Sequence, residues 1–264
     1  MIKCDKGRRG VMKKDYKVCW LSAGISSFIA GYLNNTAIFT DGERKEYMRT
    51  PIDEWIYIDI KDQHPDSMRF IKDCEKIIGK KVTILKSDRF NCVEDVIRKY
   101  KFINSEHGAP CTGMLKKAVR KKWENEHKEH ALTYVWGMDL NEKNRAERLN
   151  TNFPEQMHEF PLIDLMLKKQ DCHAIANRMG ISRPLMYELG YQNNNCIGCV
   201  KGGMGYWNKI RKDFPEVFES RAKLEREIGA TCINGTFLDE LEPDRGRIED
   251  EISTDCGIMC YLNL

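Results

Sequence analysis

Three cysteines have the spacing of a metal or redox site. Cys196 and Cys199 are separated by two residues in a segment rich in glycine and asparagine, and Cys111 lies much earlier in the chain. Two thiolates at this spacing can bind one metal, and a third thiolate from another loop can complete the site. A Cys-x-x-Cys pair is equally typical of a structural zinc site or a redox dithiol. The pattern therefore indicates thiol or metal chemistry without deciding between these.

A second candidate site is the run Ser-Ala-Gly-Ile-Ser-Ser at residues 22–27. It follows a predicted strand and opens a predicted helix, and the small residues Ala23 and Gly24 allow backbone N–H groups to approach an anion. The helix N-terminus adds about half a positive charge, and the hydroxyls of Ser22, Ser26 and Ser27 can donate hydrogen bonds. An ordinary strand–helix turn with serine caps has the same composition, so the loop alone does not establish phosphate binding.

The elements that must position these residues alternate between strand and helix. Strands are predicted over residues 17–21, 55–60, 82–85 and 132–136, and helices over residues 26–33, 65–78, 93–100 and 113–128. This alternation predicts an α/β fold, an open parallel sheet with helices on both faces, whose ligands bind at the carboxyl edge.

Helices dominate the last third of the sequence, over residues 167–179 and 217–228. We therefore expect a nucleotide-binding α/β domain over residues 1–160 and a helical, cysteine-bearing region over residues 161–264 packed on it. The polar stretch 36–52 is expected to be an excursion between the first helix and the second strand.

Composition limits the class of protein. The chain has 264 residues, 43 basic and 40 acidic residues and a net charge of +3, which does not by itself indicate a nucleic-acid binder. The odd count of 11 cysteines favours thiol or metal chemistry over a disulfide framework. The sequence has no run of about 18 apolar residues, and its basic start lacks the apolar region of a signal peptide. We expect a cytoplasmic protein with no membrane span.

A family resemblance connects the two candidate sites. The loop at residues 22–27 resembles the PP-loop, Ser-Gly-Gly-x-Asp-Ser, of N-type ATP pyrophosphatases and sulfonucleotide reductases, with Ala23 in place of a glycine and Ser26 in place of the aspartate. Further segments resemble reductase motifs in the family's order: Asp59 with residues 64–70, residues 109–119, residues 137–145, residues 161–164, and residues 189–199. The sequence therefore resembles the phosphoadenosine phosphosulfate (PAPS) reductase family, and its pattern is nearest to adenylyl-sulfate (APS) reductase-like proteins. This implies an adenine nucleotide alpha-hydrolase-like fold.

The resemblance implies a 4Fe–4S cluster at the cysteines. APS reductases hold such a cluster with a Cys-Cys pair and a later Cys-x-x-Cys, whereas this chain has Pro110 before Cys111. Cys196 and Cys199 match the later pair. The missing ligand is expected at Cys260, with Cys256 and Cys232 as other candidates, unless one iron stays open. Zinc is the alternative to the cluster.

The resemblance also extends to the C-terminus. Residues 255–260 resemble Glu-Cys-Gly-Leu-His, which carries the reductases' nucleophilic cysteine, and this makes Cys256 the candidate nucleophile. Arg245 and Arg247 match an Arg-x-Gly-Arg element that grips sulfate and phosphate, for which the planar guanidinium is well suited. Two cysteines four residues apart are also compatible with metal ligands, so the role of Cys256 stays open between nucleophile and ligand.

The implied activity is reduction of APS or PAPS to sulfite and an adenosine phosphate, with a thioredoxin- or glutaredoxin-type thiol donor. Asp59, Lys116 and Arg145 join the loop as expected substrate-binding residues. One alternative is an ATP-dependent PP-loop enzyme that adenylates and thiolates a nucleobase, for instance on tRNA; another is a non-catalytic nucleotide-binding protein. The choice between APS and PAPS, and whether the chain forms a homo-oligomer, stay open.

Overall fold

A five-stranded parallel sheet forms the centre of the fold. The computed structural model describes residues 13–105 and 108–250. The strands are β1 (Lys14–Leu21), β2 (Ile38–Thr40), β3 (Glu46–Met48), β4 (Glu54–Ile58), β5 (Val82–Leu85), β6 (His130–Val135) and β7 (Met157–Glu159). The main sheet has the order β5-β4-β1-β6-β7 with every neighbouring pair parallel, and β2 and β3 form a separate antiparallel hairpin.

Helices connect the strands and extend beyond them. They are α1 (Ile25–Thr36), α2 (Asp66–Ile78), α3 (Val93–Tyr100), α4 (Pro110–Thr112), α5 (Ala118–Glu126), α6 (Lys143–Asn152), α7 (Pro161–Asp164), α8 (Lys169–Arg178), α9 (Leu185–Glu188), α10 (Met204–Asp213) and α11 (Pro215–Ile228). A π-helical turn, Gly113–Lys117, joins α4 to α5. Short 3-10 turns lie at Leu140–Glu142, Leu238–Glu240 and Ile248–Asp250.

Side chains of the central strand alternate between two hydrophobic clusters, one on each face of the sheet. Val18 and Trp20 of β1 point into a cluster that includes residues of α3, α5, α10 and α11, whereas Cys19 and Leu21 point into a cluster built with α1, α2 and α8. Successive side chains of a strand point to opposite faces, so burial on both faces explains the near-continuous apolar sequence of β1. The predicted fold class, an open parallel sheet with helices on both faces, is confirmed.

Some elements differ from the sequence-based expectation. The edge strand β7 and the hairpin β2–β3 were not predicted, because each strand has only three residues, too few to show the alternation of a strand. Within the described residues, no helix is both long and apolar enough to cross a lipid bilayer.

Candidate nucleotide cleft and cysteine cavity

A cleft with a volume of about 60 Å³ opens where β1, β4 and β6 end. This is the carboxyl edge at which α/β sheets bind ligands. The cleft is lined by Trp20, Leu21, Ser22, Ser27, Tyr57, Ile58, Gln63, Lys116, Trp136, Gly137, Met138, Glu142 and Arg145. Four of the predicted substrate-binding residues, Ser22, Ser27, Lys116 and Arg145, therefore lie together.

The serine loop is held in shape by its own side chains. The Ser27 hydroxyl donates to the Gly24 carbonyl oxygen at 3.0 Å and accepts from the Ser22 N–H at 3.0 Å. The Gly24 N–H in turn donates to the Ser22 hydroxyl oxygen at 3.2 Å. Gly24 is the extended residue that precedes α1, and no side chain caps it. The loop thus presents two serine side chains to the cleft beside the positive end of a twelve-residue helix.

Two other predicted residues of the serine loop are buried and do not line the cleft. Ala23 is fully buried and adopts a left-handed backbone with φ of 57°, a conformation that is rare and costly for a residue with a β-carbon. Ser26, which stands where the family has aspartate, is buried and hydrogen-bonds the thiol of Cys172. Neither residue is among those lining the cleft.

Two cationic side chains also line the cleft. Lys116 is buried with 8% of its surface exposed, and it lies on the π-helical turn; such turns often occur at functional sites. Arg145 lies on α6 and pairs with the Glu142 carboxylate at 2.6 Å. The cleft therefore combines hydroxyls and cations suited to phosphate or sulfate with one acidic side chain.

The three predicted cysteine ligands line one small cavity of about 20 Å³. Cys111 comes from α4, and Cys196 and Cys199 come from the loop before α10. The other lining residues are Ile60, Val93, Thr112, Leu115, Lys116, Val200 and Lys201. Lys116 also lines the nucleotide cleft, so this one side chain borders both spaces.

The cysteine loop is fastened to its surroundings by backbone hydrogen bonds. The Tyr206 hydroxyl accepts from the Cys199 N–H at 2.9 Å and donates to the Cys196 carbonyl oxygen at 3.1 Å. Burial raises the pKa of Tyr206 well above its usual value, so the hydroxyl keeps its proton for this bond. The Ile197 N–H donates to the Asp62 carbonyl oxygen at 2.8 Å. These contacts fix the loop at its centre.

The donor set of the cavity is three thiols, and thiolates are the ligands that iron–sulfur clusters and zinc prefer. Among residues 13–105 and 108–250, no three His, Cys, Asp or Glu side chains are close enough together to hold a metal ion. Cys232 is buried, and burial, the Glu225 carboxylate and, least of all, Cys111 raise the pKa of its thiol. Cys256 and Cys260 lie outside the described residues.

The remaining predicted residues lie elsewhere. Asp59 pairs with the Lys86 ammonium at 2.8 Å and lines a neighbouring open cavity instead of the nucleotide cleft. Arg245 and Arg247 are exposed on a turn whose carbonyl groups at Glu242 and Arg245 accept hydrogen bonds from the Asn208 side chain. Neither arginine is among the described residues lining the cleft.

Aromatic residues of the cleft were not predicted as site residues. Trp20, Tyr57 and Trp136 lie within one residue of the ends of β1, β4 and β6 and were predicted only as strand residues. Their positions near the carboxyl ends of three neighbouring strands could have indicated that they line the ligand site. The Tyr57 hydroxyl donates to the Gln63 side-chain oxygen at 2.7 Å, and burial raises the pKa of Tyr57 so that it stays a neutral donor.

Comparisons with known proteins give remote similarities. No protein-family model matches the sequence. An uncharacterised protein of Methanocaldococcus jannaschii is 23% identical over 183 residues, which cover 65% of this chain and 36% of that protein, so the chain spans about a third of its relative's length. A solved structure with partial similarity is a PAPS reductase from Candida auris in complex with phosphate, at 12% identity and a TM-score of 0.44, with 70% of this chain and 82% of that chain covered.

Proposed function

We propose that this protein is a sulfonucleotide reductase-like enzyme that releases sulfite from an adenylyl sulfate. The observation that supports this most directly is the shared position of Lys116, which borders the serine-lined cleft on one side and the three-cysteine cavity on the other. A nucleotide site next to a thiol site is the arrangement that the order of the sequence motifs implies. APS and PAPS are the two candidate substrates.

The cleft would hold the adenine nucleotide. Its phosphate would lie against Ser22, Ser27 and the start of α1, where hydroxyls and the helix dipole favour an anion. Lys116 and Arg145 would contact the phosphate or sulfate, and the aromatic side chains of Trp20 and Trp136 would offer apolar surface to the base or ribose.

The cysteine cavity would hold a 4Fe–4S cluster through Cys111, Cys196 and Cys199, with Cys260 as the proposed fourth ligand. When bound, the cluster would supply an iron–sulfur centre at the cavity that Lys116 also lines. The three cysteines that line this cavity support the assignment by the chemistry of their thiols; zinc is the alternative occupant.

The proposed reaction has two steps. The Cys256 thiolate attacks the sulfur of the sulfate group, an S–S bond forms, the S–O bond to phosphate breaks, and the adenosine phosphate leaves with the electron pair. A thiolate of a thioredoxin- or glutaredoxin-type dithiol then attacks Cys256 Sγ, and sulfite leaves with the S–S electron pair. The donor's second thiol resolves the mixed disulfide, so the donor is oxidised by two electrons. Arg245 and Arg247 would stabilise the oxyanions and the Cys256 thiolate.

Anaerobic purification with iron, sulfide and zinc assays tests the metal site. About four irons and four sulfides per chain are expected for a 4Fe–4S cluster, and they should be lost in Cys199→Ala. Cys74→Ala is the matched control, because Cys74 is fully buried in the cluster of α1 and α2, and it should keep the iron. A colourless protein that contains zinc would overturn the iron–sulfur assignment.

Product assays test the reaction itself. Sulfite release from APS or PAPS with a dithiol donor, lost in Cys256→Ser, is the expected result. Conversion of ATP to AMP without sulfite release would instead support the thiolating PP-loop alternative. Nucleotide binding with neither reaction would support a non-catalytic binding protein.

A further inference from the structure

A buried asparagine connects the two candidate sites. Asn194, two residues before Cys196, donates from its side-chain Nδ2 to the Ala23 carbonyl oxygen at 2.8 Å. The same nitrogen donates to the Ser67 hydroxyl oxygen at 3.0 Å. Only 3% of Asn194 is exposed, so both bonds are shielded from water and stronger than surface bonds.

The orientation of this amide is fixed by its partner. The Ala23 carbonyl can only accept, so the amide nitrogen and not the oxygen must face it. The Asn194 Oδ1 atom is left buried with no hydrogen-bond partner within the part of the chain that the structure describes. A buried acceptor without a partner is costly, and Ala23 is itself in a strained left-handed conformation. Two unfavourable local features thus meet at this one contact.

The hydrogen bonds continue from Asn194 to the floor of the cleft. Ser67, at the start of α2, accepts from Asn194 and hydrogen-bonds the Tyr57 hydroxyl. Tyr57 donates to Gln63, and both Tyr57 and Gln63 line the cleft. A single connected network therefore joins the loop before α1, the nucleotide cleft and the cysteine loop.

We propose that Asn194 is a positioning residue that couples occupancy of the nucleotide cleft to metal binding at the cysteines. This inference rests on the proposed nucleotide and metal sites. A nucleotide on the serine loop would hold Ala23 in its strained conformation, strengthen the Asn194 bond and so fix the backbone that leads into Cys196. Coupling of this kind is reciprocal: each ligand must tighten the other by the same factor.

The test measures affinities of two simple probes on the purified full-length apoprotein under anaerobic conditions. Co²⁺ binding is followed by thiolate-to-cobalt absorption with and without saturating AMP, and AMP binding is followed by calorimetry with and without Co²⁺. For wild type, AMP should tighten Co²⁺ binding by about tenfold, within the usual range of coupling between sites, and Co²⁺ should tighten AMP binding equally. In Asn194→Ala the factor should fall to about one.

Asn104→Ala is the matched control. Its side chain donates to the carbonyl oxygen of Val200, the residue after Cys199, at 3.1 Å, so it also holds the cysteine loop, but this hydrogen bond is to Val200 and not to the serine loop. It should keep the wild-type factor. Ser67→Ala removes one hydrogen-bond partner of Asn194, so it should lower the factor by which AMP tightens Co²⁺ binding. This variant replaces Asn194→Ala in the test if Asn194→Ala does not fold.

The outcomes separate the inference from the function on which it rests. If wild type binds both probes and the two affinities are independent, the coupling is wrong while the sites stand. If Asn194→Ala and Ser67→Ala keep the full factor, Asn194 is not the link. If wild type binds neither AMP at the cleft nor Co²⁺ at the cysteines, the proposed function is overturned and the coupling with it.

Discussion

Gly137, immediately after β6, packs directly against the backbone of Ser27 in the serine loop. A β-carbon at residue 137 would lie 2.5 Å from the Ser27 Cα atom and 2.6 Å from its backbone nitrogen, closer than non-bonded atoms can approach. Both residues line the nucleotide cleft. The end of one strand therefore sets the position of a loop that follows its neighbour in the sheet.

Gly137→Ala should displace the serine loop and weaken nucleotide binding. The clash is with backbone, which cannot rotate away as a side chain can, so we expect a stability loss of about 1–3 kcal/mol and at least about tenfold weaker AMP binding. Calorimetric titration with AMP and urea unfolding measure the two effects. Gly42→Ala is the control, because a β-carbon there meets nothing within 4 Å. Unchanged AMP affinity in Gly137→Ala would show that the loop does not bind the nucleotide.

Lys116→Met should weaken AMP binding while the fold persists. The substitution keeps most of the apolar length of the side chain and removes its charge, and a hydrogen bond to a charged group contributes about 1.5–3 kcal/mol. AMP affinity should therefore fall by about tenfold to a hundredfold. Lys117→Met is the control, since Lys117 lies on the same π-helical turn but lines neither cavity among those described. Equal losses in both variants would mean that general basicity, and not contact from Lys116, attracts the nucleotide.

The sheet could be predicted because its strands are buried on both faces and read as apolar runs. The predicted third strand agrees with β5 at both ends, and the strand predicted at residues 17–21 lies within β1. The helix predicted from residue 113 was right in type, but its first turn is π-helical. Hydrophobic periodicity predicts a helix, but it cannot distinguish a π-helical turn, which contains one extra residue, from an α-helical turn.

The site could be predicted only in part, because motif positions do not report side-chain partners. Asp59 lies at the end of β4 as expected, yet its carboxylate pairs with Lys86 and faces a different cavity. Trp20 and Trp136 look like core residues in sequence, because aromatic residues at strand ends serve core and cleft alike. Asn194 contacts Ala23, which lies 171 residues earlier in the chain. No local sequence pattern predicts a contact between residues so far apart in sequence.

Gly198→Ala should disturb the cysteine loop more than Gly190→Ala does. Both glycines have left-handed backbones, with φ of 69° and 83°, so a β-carbon strains each by about 1–2 kcal/mol. A β-carbon at residue 198 would also lie 2.6 Å from Val217 Cγ1, whereas at residue 190 the nearest atom is the flexible Lys209 Cε at 3.8 Å. The difference in unfolding free energy between the two variants therefore measures the clash with Val217.

We expect Gly198→Ala to lose about 1–3 kcal/mol more than Gly190→Ala in urea unfolding and to bind Co²⁺ more weakly. Gly190→Ala should bind Co²⁺ like wild type. If both variants bind Co²⁺ equally well, the backbone at residue 198 does not position Cys196 and Cys199.

His158 should make the fold sensitive to mild acid. Its Nδ1 accepts a hydrogen bond from Trp136 Nε1 at 2.9 Å, so the neutral ring carries its proton on Nε2. Burial, with a further contribution from Arg120, lowers the pKa of His158 from 6.5 to about 4. Between these values the unfolded chain binds a proton that the folded protein excludes, so stability falls as the pH decreases from about 6.5 towards 4.

His158→Gln removes this titration and keeps an oxygen that can accept from Trp136. Urea unfolding of wild type and variant at pH 7 and pH 4.5 should show that wild type loses about 2–3 kcal/mol more than the variant over this range. The other ionisable groups titrate alike in both proteins, so their contributions cancel in the difference. Parallel losses in the two proteins would mean that the fold does not lower the pKa of His158. The hydrogen bond from Trp136 would then not keep the ring neutral as the pH falls towards 4.5.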